Sequence, residues 1–218
     1  MLTVNNLTLT LHHSPLLQEI AFSVSPGEVL TLMGPSGSGK STLFAWMIGA
    51  LEAPFHASGE LWLNNERCDE RPTERRRIGI LFQDALLFDH FSVGQNLLLA
   101  LPADIRGAER KIQVQQALER AGLAGFSSRD PATLSGGQRA RVSLLRALLA
   151  RPLALLLARP LALLLDEPFN RLDAELRAGF RRWVFDELAR LAIPAVLVTH
   201  DSDDIPDRGR CLNMRNWQ

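Results

Sequence analysis

The sequence predicts an α/β protein in which a helical stretch interrupts a strand-rich core, and three observations predict it. Short apolar runs at Val29–Met33, Ile78–Phe82, Leu161–Leu165 and Pro194–Thr199 have the length and the bounding residues of buried strands. From about Leu86 to Ala150 the apolar residues recur instead at helical spacing. Between the first run and the apolar stretch Leu43–Ile48 lies the glycine-rich turn Gly34-Pro35-Ser36-Gly37-Ser38-Gly39-Lys40-Ser41-Thr42.

That turn matches G-x-x-x-x-G-K-[ST], a phosphate-binding loop. Its glycines admit positive φ and leave no Cβ between the loop's N–H groups and an anion. A helix opening at about Lys40 would turn its dipole and its unpaired N–H groups toward phosphate. Lys40 can then reach the β- and γ-phosphates, and the Ser41 hydroxyl can ligate Mg²⁺. A glycine-rich turn by itself can bind nothing. The flanking strand and helix make this one a nucleotide site.

Composition narrows the class. The chain has 218 residues, enough for one or two domains with a substantial core. Lys+Arg and Asp+Glu both number 24, so the formal charge is zero and gives no support for a nucleic-acid partner. The run Arg75-Arg76-Arg77 reads as a solvated face. Cys68 and Cys211 lack metal-ligand spacing and fit a reducing cytoplasm. The alternating N-terminus is unlike a signal peptide. The hydrophobic window from Ala147 to Leu165 contains Arg151 and Arg159. Each would cost about 2.5–3.5 kcal/mol at a bilayer centre, so the window reads as core.

Taken in order, Leu2–Leu11 alternates as a half-exposed strand, and Ala21–Val24 alternates again before the turn Ser25-Pro26-Gly27. Glu60–Leu63 reads as a further strand closed by Asn64-Asn65. In the helical stretch, Val93, Leu97, Leu98 and Leu101 share one face, and Ile112, Val114, Ala117, Leu118 and Ala121 form a second amphipathic segment ending at Gly122. Val142, Leu145, Leu148 and Leu149 mark a third helix, preceded by Leu134-Ser135-Gly136-Gly137-Gln138. The last third returns to strands.

The run Leu161–Leu165 ends in Asp166-Glu167, a pair suited to splitting phosphate esters. Asp166 could hold Mg²⁺ and Glu167 could polarise an attacking water. Alone, that pair is equally an ordinary strand end. The glycine-rich segment around Ser135 is a second anion site or only a helix cap. His200 and Gln83, each following an apolar strand, are contacts for a γ-phosphate or merely structural.

In this order, and along essentially the whole chain, these segments resemble the ATP-binding subunit of ABC transporters. Gly34–Thr42 is similar to Walker A, Gln83 to the Q-loop residue and Leu134–Gln138 to the LSGGQ signature, without a mismatch. Leu161–Asp166 is similar to Walker B, Glu167 to the catalytic glutamate and His200 to the switch histidine. The segments Leu81–His90 and Phe91–Asn96 resemble the subgroup serving binding-protein-dependent importers. The resemblance implies a P-loop NTPase core with an antiparallel β subdomain and an inserted α-helical subdomain. It implies one ABC ATPase domain over 1–218, with core and β subdomain in 1–85 and 151–218 and helical subdomain in 86–150.

The resemblance also implies a mechanism. ATP and Mg²⁺ would be the cofactors, the metal held by Ser41, Gln83 and Asp166, with Glu167, His200 and Gln83 as the catalytic residues. Two copies would sandwich two nucleotides. Gly34, Pro35, Ser36, Gly37, Ser38, Gly39, Lys40, Ser41 and Thr42 of one copy would face the signature residues Ser135, Gly136, Gly137 and Gln138 of the other, and Asp173 would complete the nucleotide-binding set. The dimer would drive transmembrane permease subunits docked near Gln83, with a substrate-binding protein, at the cytoplasmic face of the inner membrane and with no nucleic-acid partner. Export or envelope remodelling, and nucleotide binding with impaired hydrolysis, remain as alternatives. So does a soluble ABC protein acting on nucleic acid or ribosomes, although those usually carry two cassettes or long coiled coils.

Three departures from the family stand out. The chain has no Tyr, so His12 or His13 would have to stack on adenine, or the base is held loosely. The D-loop reads Asn170-Arg171-Leu172-Asp173, beginning with Asn rather than Ser. Finally, Ala150–Leu157 is repeated perfectly as Ala158–Leu165, which lengthens the signature-to-Walker B spacing by one eight-residue unit. The second copy abuts Asp166-Glu167 and is expected to form the strand. The first copy would then bulge out, its leucines forgoing about 25 cal/mol per Å² of burial, or the pairing would slip and displace Asp166 by eight residues. Either outcome predicts a less stable or less active protein. Beyond His200, Pro206, Asp207 and Gly209 interrupt any helical pattern.

Overall fold

A computed structural model of the chain describes residues 1–82, 87–102, 105–149, 161–170, 172, 174–207 and 209–218, the side chains of 174–176 excepted. The strands are β1 (Leu2–Leu11), β2 (Ser14–Val24), β3 (Val29–Met33), β4 (Phe55–Leu63), β5 (Glu66–Arg67), β6 (Ile78–Leu81), β7 (Ala162–Asp166), β8 (Ala195–Thr199) and β9 (Arg210–Asn213). The helices are α1 (Lys40–Ile48), α2 (Thr73–Arg76), α3 (Val93–Ala100), α4 (Ala108–Arg120), α5 (Gly136–Leu149) and α6 (Ala174–Leu191). The fold is α/β, with one antiparallel and one mainly parallel sheet.

The chain divides into two compact units. The first comprises Met1–Ile80, Leu161–Glu167 and Phe185–Gln218. Its antiparallel sheet has the order β2-β1-β4-β5, and its second sheet the order β6-β7-β8-β3-β9. Strand β3 pairs in parallel with both β8 and β9, and β7 in parallel with β8. One apolar core joins Leu2, Val4 and Leu9 of β1 to Phe44 and Met47 of α1 and to Leu30, Leu164 and Val196 of the parallel strands. The hairpin β4–β5 turns through Asn64 and Asn65, both at positive φ, as a tight turn matched to strand twist requires.

The second unit comprises Leu81–Pro160 and Pro168–Val184. Its core gathers the sequence-predicted faces of three helices: Val93 and Leu97 from α3, Val114, Ala117 and Leu118 from α4, and Val142 and Leu145 from α5. Ser92 caps α3, accepting from the N–H of Gln95 while the Gln95 side chain accepts from the Ser92 N–H. Buried Asn96 fixes the preceding loop, accepting from Phe88 N–H and donating to the carbonyls of Phe88, Phe91 and Ser92.

Several expectations need correction. Ile112 is exposed, because α4 turns Val114 and Leu118 inward and leaves Ile112 on the opposite face. The last third is not all strand: it includes the 18-residue helix α6. Strand β9 after Gly209 also went unforeseen, since Arg210–Asn213 lies at a sheet edge and carries little apolar pattern. The run Arg75–Arg77 is not a solvated face, because Arg76 is buried. Among the described residues no helix is long and apolar enough to cross a membrane.

Candidate active site

The phosphate loop is built where β3 ends. Gly39 occupies the N-cap of α1 at φ 86°, a left-handed conformation that favours glycine, and a Cβ there would lie 2.7 Å from Leu17 Cδ1. Helix α1 has no acidic residue in its first turn and no side-chain cap, so its N-terminal N–H groups and dipole are left for an external anion. Lys40 Nζ donates to the carbonyls of Gly34 and Pro35, each at 2.8 Å. Those two bonds use two of three ammonium donors. The Ser38 hydroxyl oxygen is buried with no hydrogen-bond partner among the described residues. Ser41 is exposed and Thr42 half-buried on the same first turn. An unpartnered hydroxyl, a spare ammonium donor and a bare helix terminus together suit a polyphosphate.

At the ends of the neighbouring strands stand the candidate reactive groups. Leu163, Leu164 and Leu165 of β7 are fully buried, and the strand delivers Asp166 opposite Val198 of β8. Burial, then the adjacent Glu167 charge, raise the Asp166 pKa above the usual carboxylate range, and Lys40 partly offsets them. Glu167 sits at φ 48°, a conformation that costs an L-residue roughly 1–2 kcal/mol. Its N–H donates to Val198 O at 2.9 Å, so the ladder holds it there. Its Oε1 lies 3.5 Å from His200 Nδ1. The turn after β8 is locked from within: buried Thr199 donates to the buried Asp204 carboxylate at 2.7 Å and accepts from Asp201 N–H. Sequence reasoning missed Thr199 and Asp204, whose only signal was a Thr and an Asp flanking His200.

Walker A residues, Asp166, Glu167 and His200 therefore belong to one compact unit. Ser135, Gly136, Gly137 and Gln138 belong to the other. There Ser135 opens α5, its hydroxyl accepting from Gln138 N–H while the Gln138 side chain accepts from Ser135 N–H. Gln138 thus serves as a helix cap, while the Ser135 hydroxyl proton stays available to an external acceptor. Gln83, Asp173 and the first repeat copy lie outside the described residues. His12 and His13 are both exposed, and His12 N–H donates to Pro54 O.

No group of three or more His, Cys, Asp or Glu is placed to hold a metal among the described residues. A single hydroxyl at Ser41 and a single carboxylate at Asp166 are hard oxygen donors of the kind that would suit an ion keeping most of its water. That donor set fits Mg²⁺.

The family model describing the ABC transporter matches residues 17–170. The chain belongs to the ABC transporter family. As such it is an ATP-binding subunit and an ATPase. Among ABC transporter relatives, it is 61% identical over 217 residues to the "Uncharacterized ABC transporter ATP-binding protein YnjD" of Escherichia coli (strain K12), covering 100% of this chain and 96% of that protein. It is 38% identical to the sulfate/thiosulfate import ATP-binding protein CysA of Gloeobacter violaceus, covering 85% of this chain but 51% of that protein. The chain therefore spans about half the length of that importer subunit. The dimeric ATP-binding cassette MJ0796, solved in a post-hydrolysis state with ADP and Pi, aligns with a TM-score of 0.74 at 26% identity, covering 94% of this chain and 90% of that one.

Proposed function

We propose that this ABC ATPase powers a binding-protein-dependent importer as a dimer of two copies, docked on transmembrane permease subunits at the cytoplasmic membrane face. The observation that carries hydrolysis is one compact unit holding a phosphate loop, a carboxylate pair at a strand end and a histidine against the second carboxylate. Support for import comes from the resemblance of Leu81–Asn96 to importer subunits and from the printed name of CysA. A relationship to the dimeric MJ0796 cassette supports pairing. The transported substrate would be chosen by subunits this chain does not contain.

In this reading the loop's N–H groups and Lys40 hold the β- and γ-phosphates, with Ser41 and Asp166 as metal ligands. Bound Mg²⁺ would supply charge neutralisation on the phosphates. Glu167 orients and polarises the attacking water, and His200 holds the Glu167 carboxylate and faces the γ-phosphate. Ser135 and Gly137 act on the nucleotide of the partner copy, with Gln83 and Asp173 completing the site. ATP drives closure because only the closed dimer lets both copies contact it.

Complementation tests this. Lys40→Ala and Ser135→Arg are each expected to abolish turnover. Mixed together, they should restore activity, because one site of the mixed dimer keeps Lys40 from one copy and Ser135 from the other. A mixture as inactive as its parts, with ATP inducing no dimer by light scattering, would refute the sandwich.

A further inference from the structure

Arg76 was expected in solvent and is instead buried beneath the C-terminal end of α1. Its guanidinium donates to four carbonyls. Nη1 reaches Trp46 O at 2.5 Å and Met47 O at 3.2 Å, Nε reaches Arg71 O at 2.7 Å, and Nη2 contacts Asp69 O. Two of those acceptors, Trp46 and Met47, belong to the last turn of α1, where Trp46 O also accepts from the capping Gly49 N–H at 3.0 Å. The helix has no basic residue of its own in that turn. Arg76 supplies the missing cation from thirty residues away, at the negative end of the dipole.

The chain makes room for it. Gly49, the C-cap at φ 79°, leaves space that a Cβ would close, since that atom would stand 2.6 Å from Arg76 Nε. Thr73 of α2 ties the same corner, donating to Gly49 O at 3.0 Å. The other end of α1 is the phosphate loop. At nine residues the helix is a rod of about 13.5 Å, too short to bend, so its C-terminal anchor sets the axial position of its N-terminus.

We propose that Arg76 is a positioning residue for nucleotide: by clamping the C-terminus of α1 it sets where Lys40 and the loop N–H groups meet the phosphates. The inference rests on the loop being the phosphate site. Arg76 touches no substrate and acts through α1.

The test is a double-mutant cycle read by ADP affinity. Arg76→Lys keeps the charge and loses the planar fork, so it should weaken ADP about tenfold while ADP still binds one per chain. In a Lys40→Ala background, the same change should cost about threefold or less, because the Lys40 contact it tunes is gone and only the loop N–H contacts remain. Gly49→Ala, which crowds the guanidinium without removing it, should weaken ADP in the same direction and serves if Arg76→Lys does not fold. A lowered melting temperature with unchanged ADP affinity in Arg76→Lys and Gly49→Ala would make Arg76 purely structural and overturn the proposal. Equal losses in both Lys40 backgrounds would also overturn it. Unchanged affinity in Lys40→Ala alone would remove the phosphate-site reading itself, and this proposal with it.

Discussion

His200 Nδ1 lies 3.5 Å from Glu167 Oε1, the two side chains standing at the ends of adjacent parallel strands β8 and β7. The glutamate is three-quarters shielded and the histidine largely exposed, so the imidazole can move against a carboxylate that the β7–β8 ladder holds. Glu167→Gln should lower ATP turnover by about 10²–10⁴, the range for losing a general base, and leave ATP binding within about twofold. Single-turnover kinetics beside nucleotide titration check both halves. A Gln variant that hydrolyses at the parent rate would remove Glu167 from the chemistry.

Asp166 has the opposite character. Burial and the Glu167 charge raise its pKa in the fold, so the folded state holds its proton more tightly than the unfolded chain. The stabilising contribution of the neutral form is present below the unfolded pKa. It is lost as pH rises through the raised one. In chelator and without nucleotide, Asp166→Asn should therefore melt at a higher temperature than the parent at pH 7. The gain should shrink in acid. A gain that does not depend on pH would point to a cause other than titration.

The eight-residue duplication sets a third expectation. Strand β7 uses the second copy, whose Ala162–Leu165 are fully buried. Ala154–Leu157 is the same sequence and would satisfy the same burial. A strand made from it would end in Ala158-Arg159-Pro160 where Asp166-Glu167-Pro168 now stands, exchanging two carboxylates for a methyl and a cation. Deleting 150–157 removes that competing register. Turnover should rise at most about twofold, the limit for two equally populated registers, and the melting temperature should rise with it. If neither changes, the duplication has no effect on the fold.

The thiols should separate cleanly. Cys68 is buried and its pKa is pushed up to about 11 by desolvation, while Cys211 is exposed on β9. Desolvation also raises the Cys211 thiol pKa, yet at pH 8 a thiol reagent should modify exposed Cys211 first and Cys68 only at the rate of unfolding. Peptide mapping after a timed pulse distinguishes them. Equal labelling would contradict the burial of Cys68.

Much of this protein was legible without coordinates because its signals are local. A loop needing positive φ reads as glycines, and β7 and β8 read as unbroken apolar runs because parallel strands are covered on both faces. The helical faces of α3 and α5 read as period 3.6. Less legible were features whose cause lies elsewhere in the chain. Edge strand β9 carries no apolar run, and it is a strand because β3 offers it a ladder. Helix α6 has a weakly patterned sequence, and its first and last turns belong to different compact units.

By itself, then, the sequence determined the family and the phosphate-loop pattern, because both depend on side-chain type and local backbone. Only the tertiary structure decided the fate of charges. Arg76 and its neighbour Arg75 are the same residue in the same short helix, yet Arg76 is buried against the end of α1 and Arg75 is exposed. Pattern cannot separate them, because burying a guanidinium is affordable only where several carbonyls converge, and those carbonyls come from Trp46, Met47, Asp69 and Arg71. The Thr199–Asp204 bond that locks the His200 turn is of the same kind, a buried polar pair that exists because the fold closes around it.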